Sequence, residues 1–137
     1  KFDKAKNNGE EFNLCFFDVD NLKKVNDTFG HLEGDAMIID ICRIIKKELR
    51  EDDAMFRYGG DEFIILFKNS REQDVKKTCT HIIRQFEIAN KSKEKPYCID
   101  ASFEGVSYRP EMNLSLEQII EIVDKDMYRN KVKKRGL

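Results

Sequence analysis

The chain is short, heavily charged and almost neutral overall. Its 137 residues are 37% charged and 40% hydrophobic, and the formal net charge is -1 at pH 7. This length predicts one compact domain over residues 1–137, and the balanced charge excludes a general attraction to nucleic acid or membrane surfaces. The apolar runs are too short to cross a bilayer and residues 1–11 are mostly polar, so we expect neither a transmembrane helix nor a signal peptide.

The four cysteines are dispersed along the chain. Cys15, Cys42, Cys79 and Cys98 form no C-x-x-C pair and have no metal-ligand spacing, and three of them lie within apolar runs. This pattern indicates buried, reduced thiols rather than a disulfide framework or a zinc site. We therefore expect a cytoplasmic domain, or the cytosolic domain of a longer membrane or sensory protein.

The first predicted element is a buried strand over residues 13–19, which delivers Asp18 and Asp20 at its C-terminal end. A polar turn is predicted over residues 26–30. Residues 33–50 then carry apolar side chains at three- and four-residue spacing, which predicts an amphipathic helix, the longest of the chain.

A glycine-containing turn joins the next two predicted strands, residues 54–58 and 63–67. The simplest interpretation is a β-hairpin whose turn, residues 59–62, carries two adjacent carboxylates. Residues 73–88 predict a second amphipathic helix, and residues 97–106 predict a further strand.

The last predicted element is a helix that begins with a capping box at residues 115–118 and runs into a basic tail at residues 131–135. The complete order is β-α-β-β-α-β-α, which makes the chain an α+β protein. Its first six elements match the ferredoxin-like βαββαβ arrangement, a sheet with helices on one face, and the C-terminal helix is an addition to it.

The carboxylates of the first strand and of the hairpin turn suggest a cation site. In this topology the two elements are neighbours, so Asp18 would meet Asp61 and Glu62 at one edge of the sheet. Clustered carboxylates repel one another unless a cation lies between them, and oxygen ligands favour Mg²⁺, which completes its shell with water and phosphate. Phosphoryl or nucleotidyl transfer is then the expected chemistry. The residues alone leave a plainer alternative open, in which these carboxylates merely end a strand and solvate a turn.

Two long motifs resemble a known family. Residues 57–63 read RYGGDEF, and residues 18–31 contain DVDNLK followed by VNDTFGH, similar to the block D-x-D-x-F/L-K-x-x-N-D-x-x-G-H. The similarity continues through GD at residues 34–35 and VDKDMYRNK at residues 123–131. The chain thus resembles the GGDEF-domain diguanylate cyclases, whose fold is like the nucleotidyl-cyclase and polymerase-palm folds. These enzymes condense two GTP into cyclic di-GMP and two pyrophosphates as homodimers.

The resemblance implies how the metal and the reacting groups are held. Asp18, the Val19 carbonyl and Asp61 would bind Mg²⁺, for which Mn²⁺ can substitute. Glu62 would help to activate the 3′-hydroxyl, and Lys23 would stabilise the charge that develops at the phosphate. These roles agree with the physical demands of phosphoryl transfer, in which positioning and electrostatics do most of the catalysis.

The resemblance also implies a GTP-binding set. Asn26 and Asp35 would recognise guanine, because an amide and a carboxylate suit its mixed donor and acceptor edge. His31 is as readily a structural turn residue, and the two turn glycines serve either the turn itself or the close approach of a nucleotide. The substrate-binding residues would be Asn26, His31, Asp35, Gly59, Gly60, Lys131 and Arg135.

An inhibitory site for the product is a further implication. Arg50 and Asp53 form an R-x-x-D pair, with five residues between Asp53 and Gly59, which is the spacing of the product-binding site in many diguanylate cyclases. Three departures accompany the resemblance: residues 1–137 contain no match to the family's N-terminal D-x-L-T-G-L-x-N-R segment, residues 102–105 have an altered pattern that suggests a β-bulge, and Lys134 stands where a glycine is common. The alternative function is a catalytically silent domain that acts as a receptor for cyclic di-GMP or GTP.

Overall fold

The computed structural model describes residues 11–68, 70–92 and 95–134, with side chains at all of these except 110 and 126–134. Four strands and four α-helices are present in this part of the chain, with one short 3-10 turn at Pro110–Met112. In chain order the elements are β1 (Phe12–Val19), α1 (Leu22–Phe29), α2 (His31–Lys47), β2 (Ala54–Arg57), β3 (Glu62–Lys68), α3 (Glu72–Lys91), β4 (Ala101–Tyr108) and α4 (Leu116–Lys134).

The four strands form one antiparallel sheet with the order β2-β3-β1-β4. Strand β1 lies between β3 and β4, and its side chains are almost all apolar and buried because both faces of the sheet are covered there. Its last residues lie across from the beginnings of β3 and β4, with Asp18 paired to Glu62 and Val19 paired to Ala101. The predicted α+β fold and the predicted hairpin are both confirmed.

The sheet is covered on both faces, because successive side chains of a strand point in opposite directions. Phe17 and the other β1 residues whose side chains point to the same face pack against α2 and α3 in the larger apolar cluster. Phe16 and Leu14 pack with Ile120 and Val123 of α4 in the smaller one. Burying each such side chain contributes about 1.5–3 kcal/mol, so the two layers together fix the position of the end of β1.

Two helix predictions need correction. The segment expected to be a polar turn over residues 26–30 belongs largely to α1, which begins after Asn21 and ends at Phe29, with Gly30 as its C-cap. Gly30 has a φ of 93°, a left-handed conformation that suits glycine and lets the chain turn directly into α2. The longest helix is α3 with 20 residues, whereas α2 has 17.

Strand β4 also differs from the prediction. It begins at Ala101 rather than at residue 97, and it pairs one-to-one with β1 through Phe103, Glu104 and Gly105. The β-bulge expected over residues 102–105 is therefore absent from this pairing, so that prediction is wrong. The capping box of α4 is confirmed, because Gln118 N donates to Ser115 Oγ at 3.1 Å and Ser115 N donates to Gln118 Oε1 at 2.8 Å.

The four cysteines are free thiols, but their environments are not uniform. Cys15 and Cys79 are buried, Cys42 is half-buried and Cys98 is exposed, so the expectation of burial holds fully for two of them. None of the helices within the described ranges has the length and apolar character needed to cross a membrane.

Candidate active site

The carboxylates of β1 and of the hairpin turn meet at one end of the sheet. The Val19 N–H donates a 2.8 Å hydrogen bond to the carbonyl oxygen of Asp61, and Asp18 lies directly across from Glu62. Residues directly across from each other in an antiparallel pair project from the same face, so Asp18 and Glu62 share the face that α4 covers. The predicted meeting of these acidic residues at one edge of the sheet is thus observed.

A further acidic residue joins this end of the sheet. Asp124 follows the buried Val123 on α4, and its carboxylate lies close enough to Glu62 to act on it. Burial, followed by the charges of Asp124, Asp18 and Asp61, raises the pKa of Glu62 above its ordinary value. Burial and the charge of Asp18 likewise raise the pKa of Asp124. We call Asp18, Asp61, Glu62 and Asp124 the carboxylate cluster.

Sequence reasoning gave Asp124 no role. It lies within the VDKDMYRNK motif at residues 123–131, but the resemblance was used there only for Lys131. That motif is the signal that could have found it, together with its place immediately after Val123, which packs α4 on the sheet.

The Arg57 side chain donates hydrogen bonds to the backbone of the glycine turn between β2 and β3. Its Nη2 donates to the Gly60 carbonyl at 2.6 Å, and its Nε donates to the Gly59 carbonyl at 3.1 Å. Neither glycine has a positive φ, and a Cβ on Gly60 would meet no atom within 4 Å. The fold itself therefore does not require glycine at position 60, and the turn stays open on that side.

The junction of α1 and α2 brings two of the expected guanine-binding residues together. A Cβ on Gly34 would lie 1.7 Å from Asn26 Oδ1, so the Asn26 amide rests directly on the backbone of α2. Asp35 follows Gly34 and is exposed, as is His31 at the start of α2. Lys23 is exposed on α1, one turn from Asn26.

This junction is braced by the segment that precedes β4. The Tyr97 hydroxyl donates to the Glu33 carbonyl oxygen at 3.3 Å, and the rings of Tyr97 and Phe29 have centroids 6.0 Å apart. Lys95 Nζ lies 3.8 Å from Glu33 Oε2. These contacts fix the start of α2, and sequence reasoning missed them because it assigned residue 97 to a strand.

The R-x-x-D pair lies at the other end of the sheet. Arg50 N donates to Asp53 Oδ2 at 2.9 Å, and Arg50 Nη2 lies 3.2 Å from Asp53 Oδ1. The same guanidinium donates to the Lys68 carbonyl at 2.9 Å and to the Ser70 hydroxyl. Asp53 is buried, with a side-chain exposure of 2%, whereas Arg50 is 57% exposed and can reach a ligand.

The remaining expected contacts fall beyond the described side chains. Lys131 lies in α4, where only the backbone is described, and Arg135 lies outside the described residues. Their expected contact with the triphosphate stays a prediction.

Comparison with known proteins identifies the family. The family described as diguanylate cyclase, GGDEF domain, matches residues 1–136. The chain belongs to the GGDEF domain family. The GGDEF domain of DgcB from Caulobacter crescentus, solved in complex with c-di-GMP, has a TM-score of 0.78 and 26% identity, covering 98% of this chain and 78% of that one.

Two curated relatives are similar to most of this chain. Diguanylate cyclase A of Treponema denticola is 30% identical over 123 residues, which cover 89% of this chain and 33% of that protein. The cyclic di-GMP phosphodiesterase PdeR of Escherichia coli is 31% identical over 123 residues, covering 90% of this chain and 18% of that protein. The chain thus spans no more than about a third of the length of these relatives.

The donor set at this end of the sheet suits a hard cation. Asp18, Asp61 and the Val19 carbonyl offer only oxygen, which matches Mg²⁺ rather than zinc or copper. Within residues 11–68, 70–92 and 95–134, no group of three or more histidine, cysteine or acidic side chains is arranged to hold a metal ion. A cation here would therefore depend on substrate phosphates and water for the rest of its shell, as Mg²⁺ commonly does.

Proposed function

We propose that this GGDEF domain is a diguanylate cyclase, which condenses two GTP into cyclic di-GMP and releases two pyrophosphates. The observation that carries the proposal is the pairing of β1 with β3, because it brings the unsubstituted GGDEF turn beside Asp18. The raised pKa of Glu62 supports it, since acidic groups crowded in this way favour a bound cation.

In the proposed reaction, Asp18, Asp61 and the Val19 carbonyl hold Mg²⁺, which would neutralise charge on the phosphates when bound. Glu62 lies next to Asp61 and accepts the proton of the attacking 3′-hydroxyl, a role for which a raised pKa suits a carboxylate at neutral pH. Lys23 stabilises the negative charge that develops at the α-phosphate.

Ring closure requires two domains. Each would bind one GTP, and the two sites would face each other in a homodimer. The 3′-oxygen of each nucleotide attacks the α-phosphorus of the other, the bond to the β-phosphate oxygen breaks, and pyrophosphate leaves. We place this reaction in the cytoplasm, where GTP is available.

The hairpin turn adds independent support. Because neither its φ nor a steric conflict demands glycine at position 60, a ligand that approaches the backbone closely is the better explanation for Gly60. Gly60→Ala should leave the melting temperature unchanged and weaken GTP binding. An equal GTP affinity in both proteins would remove this support.

The direct test is to incubate the purified protein with GTP and Mg²⁺ and to identify the nucleotide product by mass spectrometry. Cyclic di-GMP formation that stops when EDTA is added would support the proposal. Asp74→Asn is a suitable control and should leave product formation unchanged. It removes a carboxylate at the far end of the sheet, where the ion pair of Asp74 with Arg71 is exposed.

The second candidate is a catalytically silent receptor. The relationship to PdeR favours it, because that relative is named for breaking down cyclic di-GMP rather than for making it. A receptor would bind cyclic di-GMP and form no product from GTP. In a receptor, Arg50 and Asp53 would bind cyclic di-GMP as a signal. In a cyclase, the same pair would form a site for inhibition by the product.

A further inference from the structure

Two buried thiols lie in direct contact on the face of the sheet opposite α4. Cys79 Sγ of α3 is 2.8 Å from Cys15 Sγ of β1, and both residues are completely buried. The two cysteines are separated by 64 positions in sequence, so their contact is a product of the fold. The remaining cysteines have different settings, since Cys98 is exposed and Cys42 is half-buried.

The thiol pair adjoins a cavity through which a small molecule can approach. This cavity has a volume of about 300 Å³ and is lined by both cysteines and by Val75, Lys76, Phe103 and Glu104. It is much larger than the roughly 30 Å³ that one water molecule occupies in the liquid, so it can admit a molecule the size of hydrogen peroxide. Both cysteines line this cavity but have no exposed surface, so an oxidant in the cavity reaches the sulfurs only when the packing of α3 on β1 opens locally.

We propose that Cys15 and Cys79 are a site of reversible oxidation by hydroperoxides, at which they form a disulfide that joins β1 to α3. In the first step, one thiolate attacks a peroxide oxygen, the O–O bond breaks, and a sulfenic acid and water are produced. The second thiol then attacks the sulfenic sulfur and releases a second water. The net reaction converts two thiols and one hydrogen peroxide into one disulfide and two waters.

The geometry favours this pairing over all others in the described chain. A disulfide needs an S–S distance of about 2.05 Å, so the two sulfurs must approach by only about 0.75 Å. Once either cysteine is oxidised to a sulfenic acid, the other thiol is already in contact with it. Disulfide formation therefore does not depend on a larger movement of the chain.

Oxidation should be slower here than at an exposed thiol. Burial, followed by the neighbouring Cys79 and the charge of Glu104, raises the pKa of Cys15 well above its ordinary value. Cys98 is exposed, so it should react with peroxide first and the buried pair later. The order of reaction is therefore part of the expected result.

The test is peptide mapping of the whole protein after treatment with hydrogen peroxide. Trypsin yields residues 7–23, which contain Cys15, and residues 78–84, which contain Cys79. We expect these two peptides to be recovered as one disulfide-linked species that dithiothreitol separates. Recovery of both as free thiols after Cys98 is fully oxidised would overturn the proposal, and so would irreversible sulfinic acid at either position.

A variant pair gives a second measurement. In a Cys42→Ser/Cys98→Ser background, oxidation should raise the melting temperature by roughly 5–15 °C, because the cross-link restricts the unfolded chain. Adding Cys79→Ala should abolish this shift. A shift that persists without Cys79 would contradict the assignment, and the peptide map of the natural sequence decides the question even where a variant does not fold.

Discussion

The carboxylates at the two ends of the sheet have opposite electrostatic surroundings. At the far end, Asp53 is buried against Arg50, and Asp74 forms an ion pair with Arg71. At the near end, where β1 finishes, the carboxylates that act on Glu62 all raise its pKa, and Asp124 approaches it from α4. The first arrangement neutralises acidic groups within the protein, whereas the second accumulates negative charge.

This contrast separates a structural use of acidic residues from a chemical one. An ion pair that already satisfies a carboxylate leaves little for a ligand to stabilise, but a cluster of acidic groups gains much from a bound cation. The near end therefore suits a metal and phosphates. The far end offers an exposed arginine fixed by Asp53, which suits recognition of an anionic ligand.

The strongest test of the contrast is to remove a carboxylate from the near end. Asp61→Ala or Asp18→Ala should lower the rate of cyclic di-GMP synthesis by at least about 10³-fold, because the metal loses a ligand and the phosphates lose charge stabilisation. Circular dichroism and the melting curve should stay close to those of the parent. Synthesis at the parent rate by either variant would remove the metal assignment.

Gly34→Ala tests the expected guanine-binding residues, Asn26 and Asp35. A methyl group there would collide with Asn26 Oδ1, so the amide must move away from α2. We expect the preference for GTP over ATP, measured as the ratio of kcat/KM values, to fall by roughly 10- to 100-fold, as in Asn26→Ala or Asp35→Ala. Gly105→Ala is the control, since a Cβ there would lie 4.0 Å from the nearest atom. If Gly34→Ala keeps the parent preference, guanine is recognised elsewhere.

At the far end, Arg50→Ala should weaken inhibition by cyclic di-GMP without changing the initial rate. The loss of one or two charge-assisted hydrogen bonds corresponds to an inhibition constant about 10- to 100-fold higher. Arg43→Ala is the matched control, because it removes an exposed arginine whose ion pair with Asp40 lies on α2, outside the R-x-x-D pair. Titration with cyclic di-GMP, followed by pyrophosphate release, distinguishes the variants, and identical inhibition curves would assign Arg50 to structure alone.

The sequence predicted the elements that repeat a simple pattern. Strand β1 and the hairpin carry continuous apolar runs that end in glycine or acidic residues, and their adjacency follows from the topology. Helix α1 was missed because it has only eight residues, so its apolar positions Leu22, Val25 and Phe29, although helically spaced, are too few to stand out from a polar turn. Its end depends on the backbone conformation of Gly30, which residue type suggests but does not determine.

The site was predictable where motifs are contiguous and not where the fold joins distant segments. The meeting of Asp18 with the hairpin turn follows from one strand pairing. By contrast, the contact of Asp124 with Glu62 depends on how α4 packs across the sheet. The contact of Cys15 with Cys79 likewise depends on the packing of α3, and no motif near either cysteine in the sequence predicts it.

The smallest expected effect concerns the stability of the near end without metal. Because the pKa of Glu62 is raised above its ordinary value of 4.5, the folded state holds its proton to a higher pH than the unfolded state does. Its contribution is therefore most favourable below pH 4.5 and is lost as the pH rises through the raised value. In EDTA, Glu62→Gln should melt a few degrees above the parent at pH 7 and not at pH 4. An equal gain for Glu62→Gln at both pH values would mean that charge repulsion is not its cause.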